Sequence, residues 1–92
     1  MISEITIRKV RELAIEDVLS PYARLSRKGS TLMGLCPFHS EKTGSFAVTP
    51  SKNLFHCFSC NRGGDSITFI MEKENLSFSA AVEFIARNHN IP

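Results

Sequence analysis

The sequence has little of what stabilises secreted or membrane proteins. Its 92 residues contain three cysteines, one tyrosine and no tryptophan. Three cysteines cannot pair completely, so a disulfide framework is not expected. No apolar run approaches the roughly 20 residues of a bilayer span, and the first residues, MISEITIRKV, carry charges where a signal peptide has an apolar core. We therefore expect a cytoplasmic protein without membrane contact.

The composition is that of an ordinary globular chain, with 42% hydrophobic and 22% charged residues. At this length we expect a single domain over residues 1–92 with a thin hydrophobic core. Small domains commonly gain stability from a disulfide, a metal or a partner. Because disulfides are not expected, a metal is the natural candidate.

Positive charge is concentrated in the middle of the chain. Residues 24–62 contain six lysines and arginines and one acid, Glu41, for a net charge of +5. Residues 1–23 carry a net charge of −1 and residues 63–92 a net charge of −2. The basic segment also contains every cysteine, which suggests that a polyanionic partner binds there.

The periodicity predicts an α+β domain in which short helices flank a small antiparallel sheet of about four or five strands. Apolar residues at helical spacing indicate helices over about 4–21 and 65–90, with Asp65 and Ser77 as N-caps. Between them, turn residues separate runs too short for helices and indicate a sheet over about 23–62. We place its strands at Ala23–Leu25, Thr31–Leu35, Ser45–Thr49 and Leu54–Phe58, and assign Gly63-Gly64-Asp65 to a turn into a helix.

Two pairs of metal-binding residues lie in the basic segment. Cys36 and His39 form a Cys-x2-His pair, and Cys57 and Cys60 form a Cys-x2-Cys pair after seventeen further residues. Two such turns at the ends of neighbouring hairpins supply four tetrahedral ligands, which suit Zn²⁺ and, less well, Fe²⁺. His56 competes with His39, but successive strand residues point to opposite faces, so His56 points away from Cys57.

These residues favour a structural metal over a catalytic one. Four protein ligands leave no open position for water or substrate. A thioredoxin-like role for Cys57 and Cys60 is the weaker interpretation, since the next helix begins only after Gly64. The chain also lacks a serine–histidine–aspartate constellation and paired carboxylates. For His56, a solvated or supporting role and a nucleic-acid contact remain equally open.

Aromatic residues alternate with basic ones in the predicted sheet. Bases stack on exposed rings and phosphates pair with basic side chains, so the set could bind single-stranded nucleic acid. Strand alternation must bury about half of the rings, and for any single phenylalanine a core position is favoured. The set comprises Phe38, Phe46, Phe55, Phe58, Lys42, Lys52 and Arg62.

The stretch GLCPFHSEKTGSFAVTP from Gly34, followed by FHCFSCNRGGD from Phe55, closely resembles the N-terminal zinc-binding domain of bacterial DnaG-type DNA primases. The resemblance covers nearly the whole chain and implies a zinc ribbon with one structural zinc. It makes Cys36, His39, Cys57 and Cys60 the zinc ligands. Three positions depart from the usual family residues: Gly44 replaces a proline, and Ser59 and Asn61 replace glycines. The missing glycines are expected to restrict how the turn that carries Cys57 and Cys60 bends.

The resemblance further implies that the sheet binds a single-stranded DNA template and helps a separate catalytic domain, in cis or in trans, to start an RNA primer during replication. A polymerase site is not present in the chain, and a replicative helicase complex is a further possible partner. The alternative is a zinc-stabilised protein-interaction module of a replication or mobile-element protein. The DNA contacts expected on this interpretation are Arg27, Lys28, Lys42, Lys52, His56, Arg62 and Phe46.

Overall fold

The computed structural model describes residues 3–38 and 44–91. Within these ranges the chain forms two helices, five strands and two further helices. In chain order they are α1 (Glu4–Glu12), α2 (Ile15–Leu19), β1 (Leu25–Lys28), β2 (Thr31–Gly34), β3 (Phe46–Thr49), β4 (Leu54–Cys57), β5 (Arg62–Gly64), α3 (Ser66–Glu74) and α4 (Phe78–Asn88).

The five strands form an antiparallel meander in the order β1-β2-β3-β4-β5. The predicted α+β class, with a small antiparallel sheet and flanking helices, is confirmed. Successive hairpins place the β1–β2 and β3–β4 turns at one end of the sheet, which we call the hairpin end. The β2–β3 and β4–β5 connections lie at the opposite end, which carries all three cysteines and which we call the knuckle end.

Side-chain caps begin three of the helices. In each, the capping side-chain oxygen accepts a hydrogen bond from a backbone N–H three residues later, which satisfies a donor that has no partner inside the helix. The pairs are Ser3 with Thr6, Asp65 with Thr68 and Ser77 with Ala80. The predicted caps at Asp65 and Ser77 are therefore confirmed.

The core lies between one face of the sheet and the helices. Phe46 and Phe55 on this face contact Phe69 of α3 at centroid distances of 6.1 and 5.4 Å. All three rings are buried, as is Ile85 of α4. Burying a large apolar side chain contributes about 1.5–3 kcal/mol, so this cluster is a main source of stability in a domain of this size.

Two parts of the sheet differ from the prediction. Strand β1 begins at Leu25, where the predicted strand Ala23–Leu25 ends, because its exposed polar sequence has no apolar alternation and only pairing with β2 defines it. Strand β5 occupies Arg62–Gly64 and so includes Gly63 and Gly64, which we assigned to a turn. Glycines carry no strand signal, and it is backbone pairing with Phe55 and Cys57 that makes the segment extended.

Asn53 joins the hairpin end of the sheet to the N-terminal helices. It occupies the left-handed region at φ 57° in the predicted turn between β3 and β4. Its side-chain oxygen accepts from the Ile15 N–H at 2.9 Å, and its amide nitrogen donates to the carbonyls of Leu13 at 2.9 Å and Arg11 at 3.2 Å. One side chain thus supplies hydrogen-bond partners to backbone groups at the end of α1 and at the beginning of α2.

We expect Asn53→Ala to lower the free energy of unfolding by roughly 2–3 kcal/mol, because backbone groups around the α1–α2 junction lose their partner. The measurement is urea denaturation of the zinc-loaded chain. Asn90→Ala is the matched control, since Asn90 is exposed and has the same φ of 57°. Equal losses in the two variants would contradict a specific role for the Asn53 side chain.

Candidate metal centre

Three cysteines meet at the knuckle end of the sheet. Cys36 follows β2, Cys57 is the last residue of β4, and Cys60 lies in the turn before β5. Their sulfur atoms all lie within 4.8 Å of one another. The meander brings Cys36 beside the other two, because β3 pairs with both β2 and β4.

The sulfur separations fit a shared metal ion. The Sγ atoms of Cys36 and Cys60 are 3.7 Å apart, and none of the three cysteines forms a disulfide within the described residues. A disulfide would require about 2.05 Å, whereas two thiolates bound tetrahedrally to zinc at about 2.3 Å lie roughly 3.8 Å apart. The donor set and its spacing therefore match zinc.

Asn61 closes the knuckle that carries Cys57 and Cys60. It adopts φ 60°, and its N–H donates to the Cys57 carbonyl at 2.7 Å. Asparagine enters this left-handed region more readily than most residues. Asn61 therefore adopts a backbone conformation that glycine also adopts readily. The missing glycine does not prevent the turn between Cys57 and Cys60 from closing.

Burial governs the chemistry of the thiols. Cys57 and Cys36 are buried and Cys60 is half-buried. Burial is the main cause that raises the pKa of Cys36 to about 12, with the neighbouring Cys57 and Cys60 adding to the rise and a backbone hydrogen bond at Phe38 opposing it. Without a cation this thiol is protonated at neutral pH, so a metal must displace its proton on binding.

The two histidine candidates have different outcomes. His39 lies outside the described residues, so its place as fourth ligand stays a prediction. His56 does not belong to the donor cluster found among the described residues. It pairs with Ala47 and Gly63 on the face opposite that of Cys57, as strand alternation predicts.

Two basic residues support the Cys36 turn. Lys73 of α3 donates to the Pro37 carbonyl at 2.8 Å, and the Arg62 guanidinium lies 4.7 Å from the centroid of the Phe38 ring. Phe38 also packs on Phe69 at 5.1 Å. Sequence reasoning missed Lys73, because nothing in the pattern of α3 indicates what its last turn contacts.

Phe46 is not available to DNA, and its predicted role as a contact is wrong. Its ring is fully buried and stacks on Phe55 at a centroid distance of 5.5 Å. The cause is register, since Phe46 pairs with Cys57 on the core face. Phe58 is the exposed ring instead, at 68% of its possible surface.

Most of the predicted basic contacts lie on the surface. Arg27 and Lys28 are exposed on β1, Lys52 is exposed in the β3–β4 turn, and Arg62 is exposed on β5. Lys28 and Lys52 therefore lie near the hairpin end, and Arg62 lies near the knuckle end. Lys42 falls outside the described residues.

Comparison with known proteins identifies the family. The family model described as the CHC2 zinc finger matches residues 2–92. The chain belongs to the CHC2 zinc finger family. Its metal is zinc, for which the three thiols are a suitable donor set.

Relatives and a solved structure agree with this assignment. A DNA primase of Streptomyces coelicolor is 49% identical over 92% of this chain, and one of Mycobacterium bovis is 51% identical over 92%. The alignments span only 14% of either primase. A crystal structure of the Aquifex aeolicus primase, comprising zinc-binding and RNA polymerase domains, matches 98% of this chain and 22% of its own with TM-score 0.84 and 41% identity. Within the described residues, no helix combines the length and apolar character needed to cross a bilayer.

We expect metal analysis of the purified chain to return about one zinc per molecule, and Cys57→Ser to lose both the zinc and cooperative unfolding, because binding of a structural zinc is coupled to folding. Elemental analysis and thermal unfolding followed by circular dichroism measure the two effects. Val48→Ala is the control, since it truncates a fully buried side chain of β3 without removing a donor and should retain zinc. A well-folded, metal-free Cys57→Ser protein would contradict a structural metal.

Proposed function

We propose that this chain is the zinc-binding domain of a DNA primase and that its sheet binds single-stranded template DNA to help a separate catalytic domain begin an RNA primer. The observation that carries the proposal is an aromatic pair on the sheet face opposite the core, in which Phe58 is exposed and His56 is half-buried. The identity of the relatives as DNA primases supports the same role. Replication of this kind belongs to the bacterial cytoplasm.

The face opposite the core, which we call the outer face, is defined by strand register. Met33, Ala47, His56 and Gly63 are consecutive cross-strand partners on it. Phe58 follows two residues after His56 and continues this face toward the knuckle end. The outer face thus joins four strands into one surface that the zinc site holds at one end.

Phe58 provides a ring on which a base can stack. It is 68% exposed, its N–H donates to the Ser45 carbonyl at 3.0 Å, and the His56 ring meets it edge to face at a centroid distance of 4.7 Å. The backbone and a neighbouring ring therefore hold it in place. Stacking of a base on such a ring contributes about 1–3 kcal/mol.

Gly63 leaves room beside this aromatic pair. A Cβ at Gly63 would lie 3.0 Å from Nδ1 of His56 and 3.0 Å from the Phe55 carbonyl oxygen. Any other residue would therefore crowd the imidazole on the outer face. The glycine keeps the His56 ring accessible to a base, which favours the nucleic-acid contact that the sequence left open for this histidine.

Basic side chains lie near both ends of the sheet. Lys28 and Lys52 are near the hairpin end. Arg62 is near the knuckle end, at the strand position that pairs with Cys57, and its guanidinium lies over the Phe38 ring. A four-residue strand spans about 13 Å, so an unpaired strand can cross from Phe58 toward the lysines with phosphates at either end. The proposal therefore includes Lys28 and Lys52 as phosphate contacts beside the outer face. It also includes Arg27 and Arg62, which are exposed although their strand positions belong to the opposite face.

The catalytic partner is proposed from the relatives. The matched Aquifex chain contains an RNA polymerase domain in addition to the zinc-binding domain. We propose that such a domain acts with this chain, in cis or in trans. Association with a replicative helicase complex remains a prediction from the resemblance alone.

We expect Phe58→Ala to weaken binding of a short single-stranded DNA by roughly 5- to 150-fold, because a stacked base loses its platform. Fluorescence anisotropy with the zinc-loaded chain measures the affinity. Phe78→Ala is the matched control, because Phe78 is also exposed but lies on α4. If the two variants bind DNA equally well, the outer face is not the stacking surface.

We expect DNA affinity to fall steeply as salt rises, and the double variant Lys28→Ala and Lys52→Ala to lessen the log–log slope by about 1.4, since each phosphate contact with single-stranded DNA contributes roughly 0.7. The control is Arg8→Ala with Lys9→Ala, which removes two exposed charges from α1. An unchanged slope in the first variant would reject these two contacts. Wild-type binding that does not depend on salt would favour the protein-interaction alternative.

A further inference from the structure

We propose that the hydroxyl groups of Ser45 and Ser59 position the Cys57 thiolate for zinc through a short hydrogen-bond chain. The Oγ atoms of the two serines are 2.6 Å apart, and Ser45 Oγ lies 3.9 Å from Cys57 Sγ. This inference rests on the zinc site and is independent of DNA binding.

The backbone holds the two serines against the knuckle. Ser45 immediately precedes β3, and its carbonyl accepts the Phe58 N–H at 3.0 Å. Ser59 lies between Cys57 and Cys60 in the β4–β5 turn. The hydroxyl contact therefore connects the start of β3 to the turn that carries two of the thiols.

The direction of the chain follows from charge. A zinc-bound thiolate is negative and accepts hydrogen bonds, so the Ser45 proton is best placed toward Cys57 Sγ. The Ser45 oxygen then accepts from the Ser59 hydroxyl, and two aligned bonds polarise each other. Cys57 is fully buried, so bulk water does not supply this donor in place of Ser45.

Groups that hydrogen-bond to metal ligands orient those ligands and adjust their basicity. We therefore assign Ser45 as a positioning residue for zinc and Ser59 as the residue that orients Ser45. Cys57 and Cys60 supply two of the sulfur ligands, and the serine pair fixes the orientation of the Cys57 sulfur toward the ion.

The first test measures zinc affinity by competition with a chromophoric chelator. Loss of such a contact typically costs 10- to 100-fold in metal affinity, so we expect about this loss for Ser45→Ala and a smaller loss for Ser59→Ala. Ser45→Thr keeps the hydroxyl and should retain most of the affinity. Ser26→Ala, on the exposed edge strand β1, is the matched control and should match the wild type.

The second test separates positioning from general stability. With Co²⁺ in place of zinc, thiolate-to-cobalt charge transfer should move to lower energy in Ser45→Ala, because a sulfur that loses a hydrogen bond holds its electrons less tightly. Ser26→Ala and Ser45→Thr should leave the band near its wild-type position. Ser59 is exposed and lies in a turn, so Ser59→Ala tests the hydrogen bonds between the serines and Cys57 even if Ser45→Ala does not fold.

Three outcomes would overturn the proposal. The first is wild-type zinc affinity in Ser45→Ala. The second is a lower affinity with an unmoved charge-transfer band, which would make Ser45 a contributor to folding only. The third is a Ser59→Ala variant that matches the wild type in both measurements, which would show that Ser59 does not orient Ser45.

Discussion

Convergence of three thiols at one end of a short meander is the constraint on which the rest of the structure depends. Cys36 and the Cys57–Cys60 knuckle are far apart in the chain, yet their sulfur atoms lie within 4.8 Å. Burial disfavours charge on Cys36, so a cation is what makes a cluster of thiolates stable there. Zinc thereby joins the β2–β3 connection to the β4–β5 connection. The strands have only three or four residues, so their hydrogen bonds alone would hold these connections weakly.

The two ends of the sheet are secured by different means. At the knuckle end, the thiol cluster is supported by Lys73 on the Pro37 carbonyl. At the hairpin end, Asn53 bonds both N-terminal helices through one side chain. Between them, Phe69 packs against the inner face of the sheet. The helices therefore cover the core face while the outer face keeps its exposed ring.

Alternation along β4 separates stability from proposed function. Phe55 and Cys57 point into the core, whereas His56 lies on the outer face and Phe58 is exposed beyond it. The same strand thus contributes a buried ring, a thiol and part of the surface proposed to bind bases. A shift of one residue in register would exchange these roles, so the metal that secures the knuckle also secures which ring faces solvent.

The sequence by itself determined what depends on short-range spacing and residue chemistry: the Cys-x2-His and Cys-x2-Cys spacing, a donor set that suits zinc, the caps at Asp65 and Ser77, and the opposite facing of His56 and Cys57. Only the tertiary structure decided that Phe46 is buried, that Arg62–Gly64 forms a fifth strand, and that Asn53, Lys73 and the Ser45–Ser59 pair link distant segments. The reason is physical. Spacing along a chain limits which side chains share a turn or a face, but burial and cross-strand contact depend on which segments pair across the fold.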